Sequence, residues 1–155
     1  LHLDPRVKTS PAALTQLATL SREMYDRATN TGAALGAARA LAEKVEGAQD
    51  ASAFTAKLKA LAPDSVPAEG RRRRRGGDEH EPLTFVHVRN ALMGAAMAMQ
   101  GADAAPTAAE VAACSRARKE YEKIMAQWTA LRTTELNALN AKRKAAGEAP
   151  VSTTP

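Results

Sequence analysis

From Leu14 onward, apolar residues return at intervals of three, four and seven: Leu14, Leu17, Met24, Ala28, Leu35, Ala38, Ala42 and Val45 fall on one stripe of a helix. Ser10 stands before this run as a cap for exposed backbone N–H groups, and Pro11 follows at the first helical position, where its missing N–H costs nothing. The spacing predicts a long amphipathic helix from Ser10 to near Gly47. Within it, Gly32 and Gly36 lie among Ala33, Ala34, Ala37 and Ala38. Such a patch of small residues admits a second backbone closely, so it predicts a tight helix crossing or a kink.

A short second helix is expected over 51–61, with Asp50 as its cap, Phe54, Leu58 and Leu61 on one face, and Pro63 as its stop. Residues 63–82 hold three prolines, three glycines and a run of arginines, a composition that predicts a mobile loop. A third helix is expected over 82–101 with Leu83, Phe85, Val88, Leu92, Ala95 and Met99. From Ala91 it is apolar almost all the way round, so it needs neighbours on more than one side, at the centre of the bundle or under a partner.

The last helix has the clearest start, because Thr107 and Glu110 have the spacing of a capping box. Its stripe is Val111, Cys114, Ala117, Tyr121, Ile124, Trp128, Leu131 and Leu139, continuing as one helix to Gly147 and Pro150. The fold class is therefore all-α: an antiparallel bundle of three to four helices, two long, one medium and one short. Leu14, Leu17, Tyr121, Trp128 and Leu131 are the expected bundle core. Residues 1–9 read as an extended lead-in from an upstream domain, 10–147 as the bundle with its loop at 63–82, and 148–155 as a disordered tail.

Composition narrows the picture. Aromatic residues are 3% of the 155-residue chain, so the core has to be built from Leu, Ala, Met and Val at close spacing. The net charge is +5, and Arg71, Arg72, Arg73, Arg74 and Arg75 supply five positive charges, so the rest of the chain balances. These five arginines are the candidate polyanion contact, since clustered guanidiniums bind phosphates or sulfates at low salt. No stacking aromatics or second basic stripe accompany them, which argues for a solvated loop and against nucleic acid as the partner. The longest apolar run, 91–99, is about half of the roughly 20 residues that a spanning helix needs.

Chemistry-bearing residues are sparse. Cys114 is the single cysteine, which excludes an internal disulfide and a Cys-rich zinc site. On the apolar stripe it reads as a buried small hydrophobe. Asp78, Glu79, His80 and Glu81 offer metal donors in sequence but fit better as counter-charges to the neighbouring arginines. Met93, Met97 and Met99 could bind monovalent copper, yet core packing accounts for them. His2, His80 and His87 accompany no nucleophile elbow, zinc-binding His pair or phosphate loop. Glu43, Glu46, Glu120 and Glu122 lie among Lys and Arg, where surface ion pairing is their ordinary use. No catalytic, cofactor or metal residue is assigned, and the chain reads as non-enzymatic.

Two segments resemble a known family. Leu3-Asp4-Pro5-Arg6-Val7-Lys8-Thr9-Ser10, with Leu17 and the helix after it, resembles the stretch following the β-propeller in bacterial sortilin-like proteins with Asp-box (BNR) repeats, often labelled glycosyl hydrolases. Gly101-Ala102-Asp103-Ala104-Ala105-Pro106-Thr107, followed by Trp128, Leu131 and Leu136-Asn137-Ala138-Leu139-Asn140, is similar to the region closing those proteins. The resemblance implies a helical C-terminal accessory domain, secreted or at the cell envelope, that stabilises or docks on the upstream β-propeller. Helix three is the expected place for a protein partner, and no sialidase catalytic residue carries over, since those belong to the propeller.

Overall fold

The computed structural model describes residues 9–64, 82–101 and 104–152. Every regular element among them is helical, in the order α1 (Pro11–Lys44), a 3-10 turn (Gln49–Ala51), α2 (Ser52–Leu61), α3 (Phe85–Ala98), α4 (Ala108–Ala130), a π-helical turn (Leu131–Glu135) and α5 (Leu136–Ala145). The local start signals are used as expected. Ser10 Oγ accepts from the Ala13 N–H at 3.2 Å. The Thr107–Glu110 box closes in both directions: the Thr107 N–H donates to the Glu110 carboxylate at 2.7 Å and the Glu110 N–H to Thr107 Oγ at 3.2 Å. Gly47, at φ +80°, turns the chain after α1 into a conformation that side chains with a Cβ avoid.

Two helix starts and the course of the last helix differ from the sequence reading. Asp50 does not cap α2: the 3-10 turn precedes the helix, and the Asp50 carboxylate pairs with Arg143 at 3.3 Å instead. Helix three begins at Phe85 and not at Pro82, because Thr84 accepts from the His87 N–H and so fixes the cap. The last helix is not one uniform α-helix. The Leu136 N–H reaches back five residues to the Leu131 carbonyl, a π-type bond that inserts one extra residue into that turn.

The wide turn keeps the stripe in phase. Buried positions run Cys114, Ala117, Ile124, Trp128 and Leu131 at the three-and-four rhythm of a regular helix. The next regular positions would be Glu135 and Ala138, whereas the buried residues are Leu136 and Leu139. One extra residue in the turn moves these leucines onto the core face and leaves Glu135 at the surface, paired with Lys57 at 2.8 Å.

Contacts between elements give the directions. Glu23 meets Arg118 at 2.7 Å and Arg27 lies 4.8 Å over the Tyr121 ring, so α1 and α4 run parallel. Cys114 Sγ lies 4.0 Å from Met99 Sδ, and Phe85 packs edge-on to Trp128 with centroids 6.0 Å apart, so α3 runs antiparallel to α4. Lys59 pairs with Glu46 and Lys57 with Glu135, which sets α2 antiparallel to the upper half of both long helices. Arg39 donates to the Pro63 carbonyl at 2.6 Å at the end of α2, while Arg89 of α3 lies over Gly32. Carried along the antiparallel register, Phe85 stands level with Gly36, so α2 ends and α3 begins within about one helical turn of each other along α1. They form the two halves of one column, and the bundle is three-stranded: α1 up, α2 and α3 down, α4 through α5 up.

The core lies inside this triangle. Met24, Val45, Leu58, Phe85, Val88, Leu92 and Ile124 are fully buried, with Ala28, Ala38, Ala51, Ala96 and Ala117 setting short distances between helices. Thr31 is also buried, its hydroxyl donating to the Arg27 carbonyl at 2.7 Å. Of the expected core, Trp128 and Leu131 are buried, but Leu14, Leu17 and Tyr121 are only half-buried. For Leu14 and Leu17 the reason is length: α3 stops at Ala98, level with about Glu23 on α1 in the same register, so the first three turns of α1 lack the third helix; Tyr121 lies in the seam with α1, where Arg27 stacks on its ring.

Beyond α5 the chain does not trail away as a disordered tail at 148–152. The Asn140 amide grips Val151 twice, donating to its carbonyl at 3.0 Å and accepting from its N–H at 2.7 Å. Arg143 donates to the Ala149 carbonyl at 2.9 Å, and Val151 packs on the core.

Candidate functional site

The parallel seam between α1 and α4 carries a charged cluster in its lower half and an opening in its upper half. In its lower half the Glu23 carboxylate accepts from Arg118 Nε and Nη2, at 2.8 and 2.7 Å, and from Arg27 Nε at 2.9 Å. The Arg118 bond, above all, holds the Glu23 carboxyl below the ordinary carboxylate range, and burial opposes it only in part. Arg27 is in turn stacked on Tyr121, so two elements distant in sequence are tied by one charged knot.

In its upper half the seam opens into a cavity of about 350 Å³ lined by Gly36, Ala37, Ala40, Leu41, Lys44, Trp128, Arg132 and Ser152. Trp128, 3% exposed, forms the floor, braced from behind by Phe85. Arg132 sits one turn further along and lies 5.4 Å over the indole ring. Lys44 Nζ reaches the Ser152 carbonyl at 3.4 Å, which brings the folded-back tail across the upper end of the cavity. The sequence reading missed this site. Its signal was the small-residue group around Gly36 and Ala37, read there as part of a helix crossing or a kink. Gly32 does lie beneath Arg89, but nothing lies within 4 Å of where a Cβ on Gly36 would be.

At the opposite end, apolar groups stay in solvent. Leu14, Leu17 and Leu20 are half-buried on the first turns of α1, and level with the end of α3 are Tyr25, 56% exposed, and Met97, 63% exposed. Met97 therefore does not serve the core as expected from helix three, whereas Met99 does. Together these residues mark an open end of the bundle.

The remaining sequence candidates separate widely. Arg71, Arg72, Arg73, Arg74 and Arg75, and likewise His2, Asp78, Glu79, His80 and Glu81, lie outside the described residues. His87 faces Glu120 at 3.4 Å across α3 and α4, and Glu46 pairs with Lys59. Cys114 is buried, and burial pushes its thiol pKa up, which makes it a poor nucleophile. Among the described residues no group of three His, Cys, Asp or Glu side chains could hold a metal ion, and no helix is long and apolar enough to cross a membrane. No family model, curated protein or solved structure matches the chain.

Proposed function

We propose that this chain is a non-catalytic helical accessory domain that seats its open end on a β-propeller carried upstream in the same polypeptide, in a secreted or envelope protein of the sortilin-like Asp-box type. The observation that carries the reading is the apolar end itself. The stripe of α1 runs three turns past the end of α3, with Leu14, Leu17 and Leu20 only half-buried, while Tyr25 and Met97 are exposed level with the end of α3. Apolar groups left short of cover at one end of a bundle fit a contact with another protein surface. The resemblance of residues 3–10 and 101–107 to the region that closes such proteins supports the identity of that partner.

The test compares hydrogen exchange in the chain alone and in the chain joined to the domain encoded directly upstream. Slower exchange over 11–25 and 95–101 in the joined protein, lost when Leu17 and Met97 are both replaced by Glu, is the expected result. Equal exchange in the two forms refutes the docking. The alternative is a polyanion-binding module acting through Arg71–Arg75. It rests on the charge run and predicts retention on a sulfated matrix that falls steeply with salt and disappears when the five arginines become serine.

A further inference from the structure

The phase of α3 decides which sulfur atoms of the chain meet solvent. At about 100° per residue, Met97 stands roughly 180° round the helix from Val88 and 140° from Leu92, both fully buried, and two residues further on Met99 has turned back to the core. The chain has five methionines and one cysteine. Met24 and Met99 are 0% and 2% exposed and Met93 and Met125 are half-buried against the core, whereas Met97 is 63% exposed. Cys114 is buried, and burial keeps its thiol protonated, while the thiolate is the form that oxidants attack. A dissolved oxidant therefore meets one open sulfur, in the last turn of α3 at the open end of the bundle.

We propose that Met97 is a modification site: a peroxide converts its thioether to the sulfoxide, and the sulfoxide releases the contact made by the open end. This rests on the docking reading above and adds a means of regulating it. A sulfur lone pair attacks one peroxide oxygen, so that an S–O bond forms as the O–O bond breaks. The proton of the transferred hydroxyl passes to the departing hydroxide, giving water; sulfur loses two electrons and the peroxide gains them. The product sets a polar S=O group where a flexible apolar chain had been. Water solvates that group on the free domain, but beneath a docked surface it loses its hydrogen bonds, which favours the undocked state. The fold is unaffected, because Met97 lies outside the core and Met99, whose Sδ lies 4.0 Å from Cys114 Sγ, stays shielded. Docking in turn covers Met97, so oxidation proceeds through the undocked form.

The first arm of the experiment treats the isolated chain with dilute hydrogen peroxide and maps its peptides by mass spectrometry. Met97 should convert about tenfold faster than each of the other four methionines, with circular dichroism unchanged. Comparable conversion at Met93, Met99 or Met125, or loss of helicity as Met97 converts, overturns the site. The second arm follows hydrogen exchange over 11–25 in the chain joined to the domain encoded directly upstream, before and after peroxide. The slow exchange should be lost on oxidation, return on treatment with methionine sulfoxide reductase, and persist through peroxide in Met97→Leu, which keeps an apolar side chain without the sulfur. Joined and isolated chains that exchange alike before any peroxide is added refute the docking reading and the switch with it. Docking that is present and survives complete oxidation of Met97, or that peroxide abolishes equally in Met97→Leu, refutes the switch alone.

Discussion

If the π-helical turn at Leu131–Glu135 corrects the phase of the apolar stripe, then removing one residue from it should be nearly harmless, while removing one residue from the regular helix before it should not. Deleting Thr134, an exposed residue of the turn, shortens the step from Leu131 to Leu136 from five residues to four. A regular helix then carries both Leu136 and Leu139 on the core face, and Glu135 keeps its place beside Leu136 for pairing with Lys57. The expected change in unfolding free energy is within about 1 kcal/mol, since only exposed surface is lost and a regular i to i−4 bond replaces a wide one. Deleting Ala126, also exposed, rotates the remainder of the helix by about 100°. Even if the wide turn collapses to restore the phase beyond it, Trp128 and Leu131 leave the core. At about 1.5–3 kcal/mol for each large side chain the cost is about 3–6 kcal/mol, a large part of the stability of a domain this size. Urea unfolding followed by far-ultraviolet circular dichroism measures both variants, and the red shift of Trp128 emission reports its exposure independently. Equal destabilisation by the two deletions would refute the phase argument.

The same contacts lead to three other expectations. Because Glu23 ionises at lower pH in the folded chain than in the unfolded one, the folded state binds fewer protons there. Its contribution is complete above the ordinary carboxylate value of 4.5 and is lost as pH falls through the depressed folded value. Glu23→Gln should cost about 1–2 kcal/mol at neutral pH, reduced by the partial exposure of the pair, and should flatten the acid limb of a stability-versus-pH curve; an unchanged acid limb contradicts the assignment. Cys114 should ignore an aromatic disulfide reagent at neutral pH until the chain is unfolded in urea, and rapid reaction of the native protein would place it outside the core. Replacing residues 64–82 by four Gly-Ser residues, with Leu83 kept against the core, should preserve helicity and cooperative unfolding, with stability raised by about 1 kcal/mol through the shorter loop; loss of cooperativity would show that α2 and α3 are not neighbours in one column.

What the sequence disclosed was local. Ser10, Pro11 and the Thr107–Glu110 box act within one turn, so their roles do not depend on where the helices go. The stripe of the last helix was also legible, but the step of eight from Leu131 to Leu139 is an ordinary helical spacing, so the wide turn between them left no trace in it. Non-local facts were hidden. Leu14 and Leu17 have the same periodicity as Met24 and Ala28, and only the length of a different helix decides which of them are covered. Met93, Met97 and Met99 are equally apolar, yet Met97 faces solvent because α3 has neighbours on two sides and not on all. Asp50 has the right identity for a cap, but Arg143, far along the chain, offers a stronger partner.

The pair Gly32 and Gly36 shows why the candidate site escaped a reading by composition. Both glycines lie on α1, four residues apart and flanked by alanines, so any rule based on spacing treats them alike. Their surroundings differ because the column facing α1 is split: α3 brings Arg89 across Gly32, whereas beside Gly36 the long helix presents Trp128 and Arg132 at a distance. A small residue brings helices together only when the opposite surface has something to put there. Where it does not, the same residue leaves a trough, and its character is set by the far wall, here an indole floor with a cation held over it. Close packing at Gly32 and a cavity at Gly36 are thus two outcomes of one sequence motif, and filling the second with Gly36→Leu should leave the first, and the fold, undisturbed.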